Sequence, residues 1–288
     1  MRMHISTFRK IIISAMAVLA SGCMMPAKTY FDASTLANYT TASAQGETEC
    51  MAVMDATSGN DATATLDPEN IGLFVWNIHK NEHADAMDDL ATMAGDMDLV
   101  LLQEASLAHL PHNQLNQADY WSFAPGYRAT DSLTGVMTIS SVQPLAHCFM
   151  RNQEPWLRSP KAISVTEFAL LGKHQTLAVV NIHGINFTIG VSDFEQQLEK
   201  IRVVIANHNG PVIVAGDFNT WNDERVERVN ILSTQLGMTE LVFAVDNRVT
   251  PFSHTLDRVL VRGLQVIDAT TEIVDSSDHN PLAVRLAL

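Results

Sequence analysis

Hydrophobic residues after position 70 fall into short runs broken by one to three polar residues. Ile71–Trp76, Asp98–Gln103, Gly135–Ser140, Thr176–Ile182, Val212–Ala215, Leu256–Val261, Leu264–Ile267 and Leu282–Leu286 are strand-length runs, and residues 161–169 alternate apolar with polar. Such lengths, rich in Val, Ile and Leu, predict buried or half-buried strands. Three stretches have helical spacing instead. Residues 83–94 fit a helix. In the second, Phe194, Leu198, Ile201 and Ile205 line one face, and Ser192 with Glu195 has the spacing of a capping box. The third covers residues 222–236, with Glu224 and Arg228 placed to pair at i,i+4. Residues 105–132 are mixed, with a turn expected at Ala124-Pro125-Gly126. Many strands and few helices predict one α/β domain over residues 71–288, with two sheets packed face to face and helices outside.

The first 70 residues read differently. Arg9-Lys10 precedes an apolar stretch, Ile11–Ala20, and then Ala20-Ser21-Gly22-Cys23. The stretch is too short to span a bilayer, which needs about 20 apolar residues, so residues 1–22 are expected to be a signal peptide. Cys23 resembles the lipidated cysteine of bacterial lipoproteins, although Ala20 stands where leucine is usual. The resemblance implies an exported, lipid-anchored protein, at the outer membrane in a two-membrane cell. Residues 23–70 are rich in Thr, Ala, Ser, Asp and Asn and are expected to be an acidic flexible tether, with a short ordered piece around Cys50–Met54. Cys50 and Cys148 are the remaining cysteines. In an exported protein they are either a disulfide or two buried thiols.

The chain of 288 residues carries a net charge of -14. Without Arg2, Arg9 and Lys10 of the leader the balance is 15 basic against 32 acidic residues, or -17. No Lys/Arg cluster stands in 24–288. Such a surface disfavours tight counterion-releasing contact with nucleic acid and suits divalent cations and small phosphoesters.

Candidate chemistry sits where the strands end. Asn77 follows the first strand, with His79 and Lys80 beyond it. Gln103-Glu104 follows the second, and Asn181-Ile182-His183 closes a later one. Gly216-Asp217-Phe218-Asn219 follows Val212–Ala215, Asp257 opens another strand, and Ser277-Asp278-His279-Asn280 precedes the last. Gly-Asp-x-Asn alone is equally a turn sequence. Six such termini, each abutting core residues, predict convergence into one pocket at a sheet edge. Its oxygen-rich ligands favour Mg²⁺ or Mn²⁺. No Cys-x-x-Cys pair suggests structural zinc. The other histidines have solvent or core readings, with His254, three residues before Asp257, open. Trp221 and Phe187 read either as packing or as stacking surfaces for a ligand.

Taken in order, Trp-Asn-Ile (76–78), Gln-Glu (103–104), Asn-Ile-His (181–183), Gly-Asp-Phe-Asn (216–219), Leu-Asp-Arg (256–258) and Ser-Asp-His-Asn-Pro-Leu (277–282) resemble the endonuclease/exonuclease/phosphatase superfamily, within it the YafD-like bacterial proteins. The resemblance implies a DNase I-like α/β fold, a four-layer α/β/β/α sandwich of two mixed sheets. It implies Glu104 as principal metal ligand with Asn77 and Asp278 beside it. It assigns Asp217 to the attacking water, Asn219 to a phosphate oxygen, and His279, paired with Asp257, to proton transfer. His183 matches a second active-site histidine, for which the sequence offers no carboxylate partner. Lys161 is either a phosphate contact or a solvated lysine, and His79 stands where many relatives have an acid. The expected function is a metal-dependent phosphoester hydrolase, foremost a phosphodiesterase or nuclease. A lipid or small-molecule phosphoesterase is the first alternative, and a non-catalytic binding lipoprotein the second.

Overall fold

The strand-length runs assemble into two mixed sheets. The computed structural model describes residues 36–38, 42–57, 64–109, 111–115, 120–129 and 132–288; Cys23 and the leader lie outside them. One sheet has the order β1 (Ala42–Gln45), β6 (Ala146–Gln153), β7 (Pro160–Ala169), β8 (Thr176–His183), β9 (Val212–Asp217), β11 (Asp257–Arg262) and β10 (Thr239–Glu240). The other runs β12 (Gln265–Thr271), β13 (Leu282–Ala287), β2 (Ile71–Asn77), β3 (Leu99–Ser106), β5 (Ser132–Ser140) and β4 (Tyr120–Ala129). The helices are α1 (Glu47–Asp55), α2 (Ala86–Ala94), α3 (Ser192–Ile205) and α4 (Asp223–Leu236).

Strand alternation sorts the side chains into three apolar layers. Leu73, Val75, Leu99 and Leu101 of one sheet meet Leu177, Val179, Ile213, Ala215 and Val259 of the other, forming the inter-sheet core. The opposite faces of β6 to β9 pack under α1, α3 and α4. The opposite faces of β2, β3 and β5 pack under α2. The result is the expected α/β/β/α sandwich. Each fully buried Val or Leu contributes roughly 1.5–3 kcal/mol through removal from water, so the doubly covered strands carry most of the stabilisation.

Several local expectations are corrected. Within the stretch expected to be a tether, Ala42–Gln45 pairs in parallel with β6, and α1 buries Cys50 and Met54. The sheet edge at β6 offers unpaired backbone groups, and this segment satisfies them. Cys50 and Cys148 are joined, with Cα atoms 5.3 Å apart, and both are fully buried. Pro125 and Gly126 lie inside β4 rather than in a turn. β4 is an edge strand with a register shift between Pro125 and Arg128, where a proline's missing donor costs nothing. The strand β6 had no clear apolar period and was not foreseen. Ser192 makes no capping bond, because α3 starts behind Val191. Arg228 reaches Glu195 of α3 (3.6 Å) instead of Glu224. At α4 the cap is Asn222, whose side chain accepts from the Arg225 amide (2.9 Å), and Gly237 in the left-handed region ends the helix.

The disulfide closes a separation of 98 residues, and constraining the unfolded chain over such a loop is worth about 4 kcal/mol. The double variant Cys50→Ala/Cys148→Ala should therefore unfold at a markedly lower urea midpoint, by circular dichroism. An unchanged midpoint would show that the link carries no stability.

Candidate active site

The inter-sheet core ends in polar residues at one edge, and parity decides which. Continuing the inward-facing positions of β2, β3, β8 and β9 by one step gives Asn77, Gln103, Asn181 and Asp217, and one more step along β8 gives His183. The strand β11 runs antiparallel to β9, so its first residue, Asp257, lies opposite Asp217. The same holds for β13 against β2, which brings Ser277–Asn280 to that edge. Six chain segments thus deliver polar groups to one place, and most of these groups are buried.

Bonds across the two sheets lock them there. The Asn77 amide donates to Asp217 Oδ2 (3.1 Å), and the Gln103 amide donates to Asn181 Oδ1 (2.7 Å). The Asn181 amide in turn donates to the carbonyls of Leu102 and Met137. Trp76 points to the outer layer, and its indole donates to the His279 carbonyl (2.9 Å). Ser277 Oγ donates to the Asn77 carbonyl (2.7 Å). The Trp-Asn pair therefore binds both the site and the loop that carries His279. Gly216 is required by space and conformation: at φ 140° a Cβ would lie 2.1 Å from the Ile182 carbonyl oxygen.

Asp217 is the centre of the arrangement. Its Oδ1 accepts from the Asn219 backbone (2.8 Å), and its Oδ2 accepts from the side chains of Asn219 and Asn77 (3.1 Å each). Asn219 reaches this position through a left-handed residue (φ 54°), not by continuing the strand. His183 Nε2 and His279 Nε2 stand 3.5 and 4.0 Å from Asp217 Oδ2. Burial, opposed by His279 and reinforced by Asp257, pushes the Asp217 carboxyl up to about 6.

The two histidines have opposite characters. His279 Nδ1 is 2.7 Å from Asp257 Oδ2. Burial works against its charge, but Asp257 and Asp217 outweigh it and push the imidazole up to about 10. The second oxygen of Asp257 is buried without a hydrogen-bond partner among the described residues, so the imidazolium is its main compensation. His183 lies 2.6 Å from the Lys161 ammonium. Burial and that ammonium hold it well below 6.5. Lys161 must donate there, so His183 Nε2 accepts and the ring is neutral. The partner missing from the sequence reading is a lysine, and Lys161 is a buried residue at the site rather than a solvated one.

Glu104 arrives by a different route. Its alternation would turn it away from the edge. A bulge sets Gln103 and Glu104 together opposite Val136, and Glu104 takes φ 51°. Its carboxylate then lies 3.7 Å from His183, 3.9 Å from Lys161 and 3.4 Å from Lys80. Burial would raise its pKa, but the Lys161 and Lys80 ammoniums hold it below the usual value. Among the described residues no hydrogen bond occupies either oxygen. A hard anionic group with open lone pairs fits a divalent cation, which takes one or two carboxylates plus water and substrate oxygens. Asp278 is not brought into this set. Its side chain is 64% exposed and faces His79 Nδ1 at 3.5 Å on the rim. Asp217, Asp257 and His279 also offer ligand atoms within 4.8 Å of one another. The Asp257–His279 hydrogen bond makes that trio a proton-handling group.

Three residues that shape the site escaped the sequence reading. Gln197 of α3 donates to the His183 carbonyl (2.9 Å) and accepts from the Ile185 amide (2.8 Å). Arg225 of α4, fully buried, donates to the carbonyls of Ile185, Asn186 and Asn219. Glu154 accepts from the Asn186 and Phe187 amides. A signal existed for two of them, since Gln197 and Arg225 each occupy a core-facing position of an amphipathic helix. Arg258 is likewise structural, bonding Thr220 (2.9 Å) and Glu240 (2.6 Å).

Residues 74–279 match the model of the Endonuclease/Exonuclease/phosphatase family. The chain belongs to this family. A UPF0294 protein of Vibrio vulnificus is 38% identical over 229 residues, covering 78% of this chain and 80% of that protein. Among solved structures, an endonuclease/exonuclease/phosphatase protein from Beutenbergia cavernae superposes with a TM-score of 0.61 at 16% identity, over 76% of this chain and 72% of the other. A mannosyl-6-phosphatase from Bacteroides thetaiotaomicron superposes at 0.57 and 13% identity, over 76% and 100%. These structures share the family's sandwich fold. Membership makes the chain a phosphoester hydrolase in its broad class.

The Asp257 pairing has a measurable consequence. The folded pKa of His279, about 10, lies above its ordinary 6.5. The pairing therefore stabilises the fold fully below pH 6.5, and that contribution is lost as pH rises through about 10. In an NMR titration, His279 should remain charged past pH 8, and Asp257→Asn should bring its titration down by more than a unit. Identical titrations in the two proteins would refute the pairing as the cause.

Proposed function

We propose that the protein is a divalent-metal-dependent phosphodiesterase acting outside the cytoplasm. The observation that carries this reading is the buried Asp217, held by Asn77 and Asn219 and faced by one charged and one neutral histidine, with the open Glu104 carboxylate beside them. Asp217 orients a water and takes its proton as the water oxygen bonds to phosphorus, and a carboxyl pushed up to about 6 suits that task. His279, kept charged by Asp257, opposes the negative charge that develops on the phosphoryl oxygens and supplies the proton that the departing oxygen requires. The Lys161 ammonium holds a phosphate oxygen, and the Asn219 amide, donating to Asp217 and to the Gly184 carbonyl, keeps the Asp217 carboxylate in place beside it. Neutral His183 accepts from Lys161 and keeps its ammonium aimed. Glu104 and Asn77 would hold Mg²⁺ or Mn²⁺, which supplies charge neutralisation at the phosphoryl group. Asp278, on the rim with His79, adds its negative charge to those that keep His279 protonated.

Export rests on the leader and Cys23, and lipid anchoring rests on the same residues. A nuclease is the simplest form of this chemistry, and the acidic surface counts against tight binding of long polyanions. A purely binding role is disfavoured, because burying three carboxylates and two histidines together is costly unless their chemistry is used.

The wild-type protein should hydrolyse bis-p-nitrophenyl phosphate with Mg²⁺ or Mn²⁺ and lose that activity in EDTA. Glu104→Gln should weaken Mg²⁺ binding in calorimetry at least tenfold and lower turnover by two orders of magnitude or more, on the order of a lost metal site. Wild-type turnover in EDTA, or in Glu104→Gln, would end the metal-dependent reading.

A further inference from the structure

Beside the site lies a cavity of about 470 Å³ whose walls include Trp156, Phe187, Asn219, Trp221, Phe252 and Leu256. Asn219 is also bonded to Asp217, so the cavity and the phosphate-handling residues are continuous. Among the described residues, no charged side chain lines it.

Several of its polar groups are already engaged. The Trp221 indole donates to Asn186 Oδ1 (3.0 Å), and Thr188 Oγ1 donates to Asp193 (2.8 Å). The Asn219 amide is divided between Asp217 and the Gly184 carbonyl. A nucleobase is read by donors and acceptors along its edge, and this cavity has few to offer. What it presents is aromatic and aliphatic surface. One wall is also fixed in advance. Arg225 stacks on Trp221 (4.9 Å) and bonds the carbonyls of Ile185 and Asn186, while Glu154 holds the Asn186 and Phe187 amides from the other side. The mouth is unusually apolar for an acidic protein: Trp156 is 62% exposed, Phe187 49% and Phe252 82%. Large exposed apolar side chains gathered at one rim mark a binding surface rather than chance exposure.

We propose that this cavity is a subsite for a hydrocarbon chain, and that the substrate is an amphiphilic phosphoester whose alkyl or acyl group lies against Trp156, Phe187 and Phe252 while its phosphate lies at Asn219. The assignment rests on the hydrolase reading above for the fate of the phosphate, and on the cavity alone for the chain. It adds a subsite and no new step: water still adds to phosphorus, and the alcohol still leaves with a proton.

The test uses the full chain with Mg²⁺ and a series of p-nitrophenyl alkyl phosphodiesters bearing methyl, butyl and octyl groups. Burial of each methylene is worth about 0.8 kcal/mol, close to fourfold, so kcat/KM should rise roughly 50-fold from methyl to butyl and further to octyl. Trp156→Ala with Phe252→Ala, both at exposed positions, should flatten that slope. Calorimetry with octyl phosphate and methyl phosphate reads the subsite without turnover, and octyl phosphate should bind at least tenfold tighter. Chain-length-dependent binding without hydrolysis would support the subsite and sink the hydrolase reading. Equal binding of the two phosphates, a flat ester series, or tighter binding of a dinucleotide diester than of octyl phosphate would overturn the subsite.

Discussion

The site depends on one constraint, the face-to-face packing of two sheets whose inward positions are apolar until their last step. Where Val75, Leu101, Val179 and Ala215 give way to Asn77, Gln103, Asn181 and Asp217, the apolar core becomes a polar floor. The bonds from Asn77 to Asp217 and from Gln103 to Asn181 cross between the sheets. They fix the register of one sheet against the other at the place where chemistry needs the least play. Apolar packing alone tolerates sliding, whereas a buried amide with one partner at 3 Å does not.

Concentrating ionisable groups at this floor costs desolvation energy, and the arrangement offsets it locally. Asp257 is compensated by His279, Glu104 by Lys80 and Lys161, and His183 by remaining neutral. Backbone conformation carries a second cost. Glu104, Asn219 and the run His79–Asn81 all occupy positive φ without being glycine. Each is disfavoured by about 1 kcal/mol or more, and each lies at or next to the site. The surrounding strands and helices hold these residues in conformations that they would leave in isolation.

The helices contribute more than cover. Gln197 and Arg225 project from buried faces of α3 and α4 to bond loop carbonyls, so the loop after β8 and the loop after β9 are held by the layer outside them. The same contacts make the wall of the aromatic cavity. Catalytic floor and apolar subsite therefore share one scaffold, and a change at Arg225 should be felt in both.

Period and chemistry along the chain were enough to recover most strands, three of the helices, the two-sheet architecture and the convergence of Asn77, His183, Asp217, Asp257 and His279. Buried strands must be apolar, and the residue that breaks such a run is conspicuous. Glu104 was legible as a residue, but its direction was not, because a bulge reverses the parity that alternation assigns. The lysine partner of His183 lies 22 residues away in sequence, and only the pairing of β7 with β8 makes them neighbours. The folding of Ala42–Asp55 onto an edge strand was hidden because its polar composition resembles a linker, and its place is set by the open edge of β6 and by Cys148. Asp278 was placed beside the metal by the family resemblance, and only the fold shows that its side chain faces His79 at the rim. The sequence by itself determined which residues the site could use, since their types and the apolar runs beside them are local properties. Direction, pairing and protonation were decided only by the fold, because each depends on neighbours brought together from distant parts of the chain.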